Sequence, residues 1–271
     1  MSEAAVLGEL EEAIAWLEGF PALLQRTTDG IVRQVNATLS AVPPFLGSLV
    51  DDIVAQAEAL LARLGELTWQ LLDWLAEIVL PVIRGPWDLY RAGEDWVTQV
   101  YPKVTDVAGQ IDLSETQLED YWQGTAASTY LHTVIRQKGA ATATADAVHD
   151  TRSALHALAL TLGALYLAIV AELFSLLCEL AVAGAEAGTV YGIPVALITA
   201  VGSVAKAIAV VAGGFAVGKE LVSGTKEKFI TLLELRNDSR AFDHGAWPAG
   251  SADLADASLT DGDRSNWSYK R

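Results

Sequence analysis

Two apolar stripes at helical spacing constrain this chain more than any other feature. Each stripe alternates steps of three and four residues, a spacing that keeps one narrow side of an α-helix against a partner helix. The first seam consists of Tyr90, Gly93, Val97, Val100, Val104, Val107 and Ile111. The second seam consists of Ala127, Tyr130, Val134, Gln137, Ala141, Thr144 and Val148. The pattern predicts two helices that pack against each other.

A single break, Tyr121-Trp122-Gln123-Gly124, separates the two seams. Two helices of similar length joined by a tight turn lie antiparallel. Gly124 can take a positive φ that a Cβ would resist, and Trp122 can cover the end of the hairpin or enter a partner's groove. The alternative is an ordinary helix break with a core tryptophan. Pro102 lies inside the first seam and is predicted to kink or split its helix.

Helical periodicity extends over most of the remaining chain and predicts an all-α fold, an elongated bundle of long antiparallel hairpins. One helix is expected from Glu3 to about Leu39, with a break at Gly19-Phe20-Pro21, and another from about Phe45 to a stop at Pro81. Four segments follow: an N-terminal helical hairpin (1–84), a helix–WxG–helix hairpin (85–153), an apolar helical hairpin (154–236) and a disordered acidic tail (237–271).

Composition narrows the class of function. The net charge is −16 and no segment is basic, which disfavours nucleic acid as a partner. Cys178 is the only cysteine, so neither a disulfide framework nor a thiolate metal site is expected. Its apolar neighbours predict a core thiol. The first residues lack the basic and apolar regions of a secretory signal, so we expect any export to follow another route.

Long uncharged runs mark the segment 154–236, among them Ala157–Ala171 and Ala187–Ala205. Three interpretations stay open: a core hairpin buried against the N-terminal helices, a hairpin that inserts into a membrane or forms a pore, and a constitutive membrane anchor. Small residues four apart allow close helix contact in lipid or in an oligomer, and four glycines have this spacing: Gly184, Gly188, Gly214 and Gly218.

No catalytic site, metal site or cofactor is predicted. His149 and His156 could share one helix side, but without a suitably spaced third ligand a solvated helix face is the better interpretation. The segment Gly213–Glu220 has the glycine and lysine spacing of a phosphate loop. Glu220 stands where such a loop needs Ser or Thr, and its carboxylate would repel phosphate.

The residues from Leu118 to Tyr130 contain Trp122-Gln123-Gly124, the small pair Ala126-Ala127 and an aromatic residue, and an Ala-rich helix follows. This stretch resembles the WXG superfamily of type VII (ESX) secretion substrates, over about residues 86–153. The additional long helices are similar to the larger PE/PPE-type or Esp-type members. The resemblance implies a bend that partners and the secretion machinery recognise, formed here by Tyr121, Trp122, Gly124 and Tyr130.

One departure from the family concerns export. Members or their partners usually carry a Tyr-x-x-x-Asp/Glu signal after the second helix of a hairpin. Here the only such spacing is Tyr90 to Glu94, before the bend. A partner that supplies the signal is therefore one expectation, and retention inside the cell is the other.

These observations favour a secreted or envelope-associated type VII substrate that binds partners or assembles, without catalysis. The expected partners are another helical protein or a second copy of the chain, together with the secretion machinery. Two alternatives are a membrane-active or pore-forming protein that inserts residues 154–218, and an intracellular helical scaffold.

Overall fold

The computed structural model describes residues 3–43, 47–111, 125–235, 241–242 and 245–248. Within these ranges the chain is all-α and has no β-strand, which confirms the predicted fold class. The helices are α1 (Glu3–Ser40), α2 (Gly47–Trp74), α3 (Leu80–Val82), α4 (Gly85–Asp95), α5 (Tyr101–Gln110), α6 (Thr125–Glu186) and α7 (Gly192–Leu235).

Helix α1 continues without a break through Pro21, against the expectation of an interruption at Gly19-Phe20-Pro21. Leu10, Leu17, Leu24 and Ile31 are seven residues apart and all are buried, as is Phe20 beside the proline. An interior proline costs about 3 kcal/mol in a helix. Burial of several large side chains outweighs that cost, since each contributes about 1.5–3 kcal/mol.

Two π-helical segments precede the prolines that were predicted to end or split helices. Leu75–Val79 lies before Pro81, and Trp96–Val100 lies before Pro102. A proline ring clashes with the carbonyl of the residue four positions earlier, and a wider turn relieves the clash. At Pro102 the chain stays helical, and the π-helical segment Trp96–Val100 joins α4 to α5 in place of a break. The helix that was expected to stop at Pro81 ends one residue later, at Val82.

The 62-residue helix α6 follows one heptad pattern almost from end to end. Eight residues exactly seven apart are all buried: Val134, Ala141, Val148, Leu155, Leu162, Ile169, Leu176 and Ala183. A sustained seven-residue repeat keeps one side of a long helix against its neighbours. The predicted boundary between residues 153 and 154 falls inside this helix.

The chain forms two compact units. Unit 1 contains Met1–Asp88 and Ala159–Val222, and unit 2 contains Leu89–Leu158 and Ser223–Arg271. The predicted N-terminal hairpin and residues 159–222 of the predicted apolar hairpin thus belong to one unit, while 154–158 and 223–236 belong to the other. The tail that was predicted to be disordered, 237–271, lies largely outside the described residues.

Unit 1 has a core built from α1, α2, the second half of α6 and most of α7. Helix α1 approaches the end of α6, where Thr38 Oγ1 donates a hydrogen bond to the carbonyl oxygen of Ala187 at 2.9 Å. The largest fully buried side chains of this core are Phe20, Leu17, Leu24, Ile31, Leu64, Leu71, Leu75, Leu173, Leu176, Leu180 and Ile193.

Candidate functional site

The residues predicted to form the recognition bend are placed only in part. Tyr121, Trp122 and Gly124 lie outside the described residues. Tyr130 is exposed in the first turns of α6. Helix α5 ends at Gln110 and α6 begins at Thr125, so the two predicted arms are helical on both sides of the bend.

The two arms meet in unit 2 through a polar cluster on α4 and α6. Arg152 donates to Glu94 Oε1 from Nε at 3.2 Å and from an Nη nitrogen at 2.8 Å. His156 Nε2 lies 3.2 Å from the same carboxylate oxygen. The Tyr90 ring stacks on the His156 ring at a centroid distance of 4.2 Å. Tyr90 and Glu94, the only Tyr-x-x-x-Glu pair of the chain, therefore both contact the second arm.

Gly93 lets α4 approach α6 closely at this cluster. A Cβ built on Gly93 would lie 2.6 Å from His156 Cδ2 and 2.9 Å from His156 Nε2. Such contacts are too short for a side chain at that position, so the imidazole occupies space that only a glycine leaves open. His156 is buried, which corrects the prediction that it lies on a solvated helix face; His149 is exposed as expected.

The two seams differ in burial. On the second seam Val134, Ala141 and Val148 are buried within unit 2. On the first seam Gly93 is buried, but Val97, Val100 and Val104 are only half-buried and Val107 is exposed. Two large aromatic residues of the first arm, Trp96 and Tyr101, are also exposed. The first arm thus keeps apolar side chains on its surface.

The four glycines singled out for lipid or oligomer contact have neighbours inside unit 1. Ile169 lies 3.0 Å from a Cβ built on Gly214, and Leu165 lies 3.4 Å from one built on Gly218. Gly184 faces Ile31 of α1, and Gly188 lies near Gln34 of α1 and the carbonyl oxygen of Ala185. Gly214 and Gly218 thus allow close packing between α6 and α7 within the chain.

A polar cluster lies between α6 and α7 in unit 1. Lys206 Nζ is 2.8 Å from Glu172 Oε1 and 3.8 Å from Glu179 Oε1. A hydrogen bond with Ser203 is the largest cause that lowers the pKa of Glu179, and Ser175 and Lys206 act in the same direction. The hydrogen bond with Glu172 raises the pKa of Lys206. These contacts favour the charged forms of Lys206 and Glu179.

The surface of α6 and α7 that points away from the core is almost uncharged. On α6 it comprises Thr161, Ala164, Ala168, Ala171, Phe174, Cys178, Ala181, Val182 and Ala185. On α7 it comprises Val195, Ile198, Thr199, Gly202, Ala205, Lys206, Ala209, Gly213, Ala216 and Val217. We call this set the outer face.

The outer face was missed by the sequence analysis, which also placed Cys178 in the core. The thiol is exposed, although Phe174 one turn earlier contacts the Trp16 ring of α1 at a centroid distance of 6.3 Å. A sequence signal was present: the α6 members of the outer face mostly recur at steps of three and four, as the buried residues of the same helix do. On a helix that is apolar on both sides, periodicity does not say which side faces inward.

By length and composition, α6 and α7 are the two described helices apolar enough to cross a membrane. In the most apolar stretch of α6, 33% of the residues are buried, and in the most apolar stretch of α7, 39% are buried. A core helix of a soluble protein is usually buried over most of its surface. Much of the apolar hairpin is therefore turned outward.

The described part of the chain offers little for a metal site, a phosphate site or a ligand cleft. It contains no cluster of three metal-ligating side chains. The phosphate-loop-like segment Gly213–Glu220 lies inside α7, where the helix uses the backbone N–H groups. A cleft of about 500 Å³ near the end of α1 is lined mainly by small and apolar residues, such as Ala37, Val42 and Val190.

Comparisons of the chain with protein-family models, with curated proteins and with solved structures find no match.

Proposed function

We propose that the chain is a type VII secretion substrate that binds a helical partner, or assembles with itself, through its helix–WxG–helix hairpin, without catalysis. One observation carries the proposal. Glu94 precedes Gln123 by 29 residues and Arg152 follows it by 29, and these two side chains are hydrogen-bonded. Equal sequence separations on the two sides of Trp122-Gln123-Gly124 are compatible with a chain that folds back near that tripeptide.

The unequal burial of the two seams supports a role in binding. On the second seam Val134, Ala141 and Val148 are buried within unit 2, whereas the first arm keeps Trp96, Tyr101 and Val107 exposed. Aromatic residues are enriched at protein interfaces because they bury a large area with few rotatable bonds. The exposed side of the first arm is therefore the surface we assign to a partner helix.

The position of Tyr90 and Glu94 bears on export. Both residues already contact α6, through His156 and Arg152. A recognition signal normally needs accessible side chains, so this pair is poorly placed to serve as one. In our proposal the partner supplies the export signal, and the chain leaves the cell as part of a complex.

Two substitutions at the bend test the hairpin. Gly124→Val places a β-branched side chain where the proposal requires a tight turn, and Trp122→Ala removes a large ring, at a cost of about 3–5 kcal/mol if the ring is buried. We expect both variants to lose the partner in co-purification. The control is Trp247→Ala, which removes an exposed tryptophan outside the hairpin arms. Wild-type association by both bend variants would contradict the proposal.

The secretion part of the proposal has a separate test. Culture filtrates of a host with an intact type VII system are compared with filtrates of a host that lacks it, and the chain is quantified by mass spectrometry. We expect the chain in the filtrate only when the system is intact. Equal amounts in both filtrates would rule out this route.

A further inference from the structure

The outer face of unit 1 is exposed and consists mainly of apolar side chains. Among the most exposed residues of α6 between 161 and 185, every one is uncharged. Over this range α6 is about 37 Å long at 1.5 Å per residue. Phe174, Val182, Val195 and Ile198 on this face are each more than half exposed. Single exposed apolar residues are ordinary, but a continuous apolar surface on two adjacent helices marks a binding surface.

Charges near the outer face neutralise one another in part. Lys206 is its one charged member, and it is held by Glu172 at 2.8 Å and by Glu179 at 3.8 Å. Ser175 and Ser203 hydrogen-bond Glu179 as well. The charged groups thus have partners within the chain.

The exposed sides of α1 and α2 have the opposite character. Their most exposed residues include Glu9, Glu11, Glu12, Glu18, Asp29, Asp51, Asp52, Glu58, Arg63 and Glu66. Unit 1 is therefore a two-sided bundle, with charged helices α1 and α2 and an apolar surface on α6 and α7.

We propose that the outer face of unit 1 docks flat on a lipid bilayer, with α6 and α7 lying in the membrane interface and the bundle intact. A protein interface of standard size carries about ten hydrogen bonds. The outer face offers few groups for them, chiefly the hydroxyls of Thr161 and Thr199 and the Lys206 ammonium. Hydrocarbon needs no such groups. Interfacial helices bury their apolar side by about 5–10 Å and keep the rest in water.

Docking without opening preserves the core of unit 1. The inward sides of the same helices carry Leu173, Leu176, Leu180, Ile193 and Leu197, all buried among the side chains of the bundle. A hairpin that left α1 and α2 to cross the bilayer would expose this core on both partners. Flat docking buries the outer face and leaves those contacts in place.

The single cysteine makes the test direct. Cys178 is exposed on the outer face, so an environment-sensitive nitrobenzoxadiazole label on its thiol reports what covers that face. With phosphatidylcholine vesicles we expect a severalfold rise in fluorescence, and stronger quenching by lipids spin-labelled near the headgroup than by lipids labelled at the chain end. The matched control carries the label at Gln56, exposed on α2, in a Cys178→Ser/Gln56→Cys variant, whose fluorescence should stay unchanged.

Charge substitutions identify the surface. Phe174→Glu and Ile198→Glu should each lower the fraction of protein that floats with the vesicles at least tenfold. Trp69→Glu, at an equally exposed large apolar residue of α2, should not change it. Circular dichroism shows whether each variant keeps its helix content, and the Ile198 variant carries the test if the Phe174 variant unfolds.

Three results would overturn this proposal. An unchanged signal at Cys178 with vesicles would exclude lipid. A signal that rises with protein concentration without vesicles would identify a second copy of the chain as the occupant. Deep quenching at Cys178 together with a changed signal at Gln56 would indicate an opened, inserted hairpin. None of these results bears on the hairpin of unit 2, so the proposed function stands or falls separately.

Discussion

Single residues decide how closely the helices of this protein approach one another. Gly93 is the clearest case, since the His156 imidazole lies where a β-carbon would be. The buried histidine stacks on Tyr90, and its Nε2 lies 3.2 Å from a carboxylate oxygen of Glu94. Neither partner is near His156 in the sequence, which is why periodicity alone assigned this residue to a solvated face.

Gly93→Ala should destabilise the protein, although alanine normally stabilises a helix by about 0.5–1 kcal/mol relative to glycine. The added β-carbon forces the imidazole or the backbone to move, and overpacking of this kind costs about 1–3 kcal/mol. Gly109→Ala is the matched control, because a Cβ at Gly109 meets nothing within 4 Å. Thermal unfolding followed by circular dichroism should show a lower Tm for the first variant and an equal or higher Tm for the second. An unchanged Tm for Gly93→Ala would refute the close contact.

Glu179 should contribute to stability in a pH-dependent way. Its pKa is lowered in the folded state, first by the hydrogen bond with Ser203, so its contribution is present above the unfolded-state pKa and is lost as the pH falls through the folded-state pKa. Glu179→Gln should therefore be less stable than wild type at pH 7, and the difference should shrink below about pH 4. Urea unfolding at several pH values measures it. Glu186→Gln, at an exposed position, is the control, and a pH-independent difference would contradict the assignment.

At the scale of elements, the sequence predicted where the helices lie better than which helices pack against each other. The seams predicted helices where α4, α5 and the first part of α6 lie, and Pro102 follows the π-helical segment that joins α4 to α5. The heptad pattern continued beyond Val148 to Ala183, and following it would have predicted α6 as one helix. What periodicity could not supply was the inward side of a helix with two apolar sides, and for that reason Cys178 was placed in the core.

Replacing a large side chain by alanine should change the free energy of unfolding differently on the two sides of α6. Leu176 is fully buried on the heptad stripe, so Leu176→Ala should lower the free energy of unfolding by about 2–5 kcal/mol. Val182→Ala, on the outer face, should change it by less than about 0.5 kcal/mol, as exposed positions usually do. Denaturant unfolding of both variants measures the difference. Equal losses would mean that the outer face is buried in solution.

At the scale of the whole molecule, we propose different tasks for two surfaces. The exposed aromatic residues on the first arm of unit 2 are proposed to meet a partner helix, and the almost uncharged outer face of unit 1 is proposed to meet lipid. Fold class followed from the sequence because helical spacing extends over most of the chain. The division into units did not, because it depends on which distant helices share a core, and no local pattern encodes that choice.

The central claim is that the chain folds back on itself between α5 and α6, and a distance between the arms tests it most directly. Spin labels are attached at Gln99→Cys and His149→Cys, two exposed positions, in a Cys178→Ser background. Packed helices have axes about 8–10 Å apart, so pulsed electron paramagnetic resonance should give a label separation on the order of 20 Å. One continuous helix through residues 122–124 would instead separate the labels by about 75 Å, at 1.5 Å per residue, and that result would contradict the account.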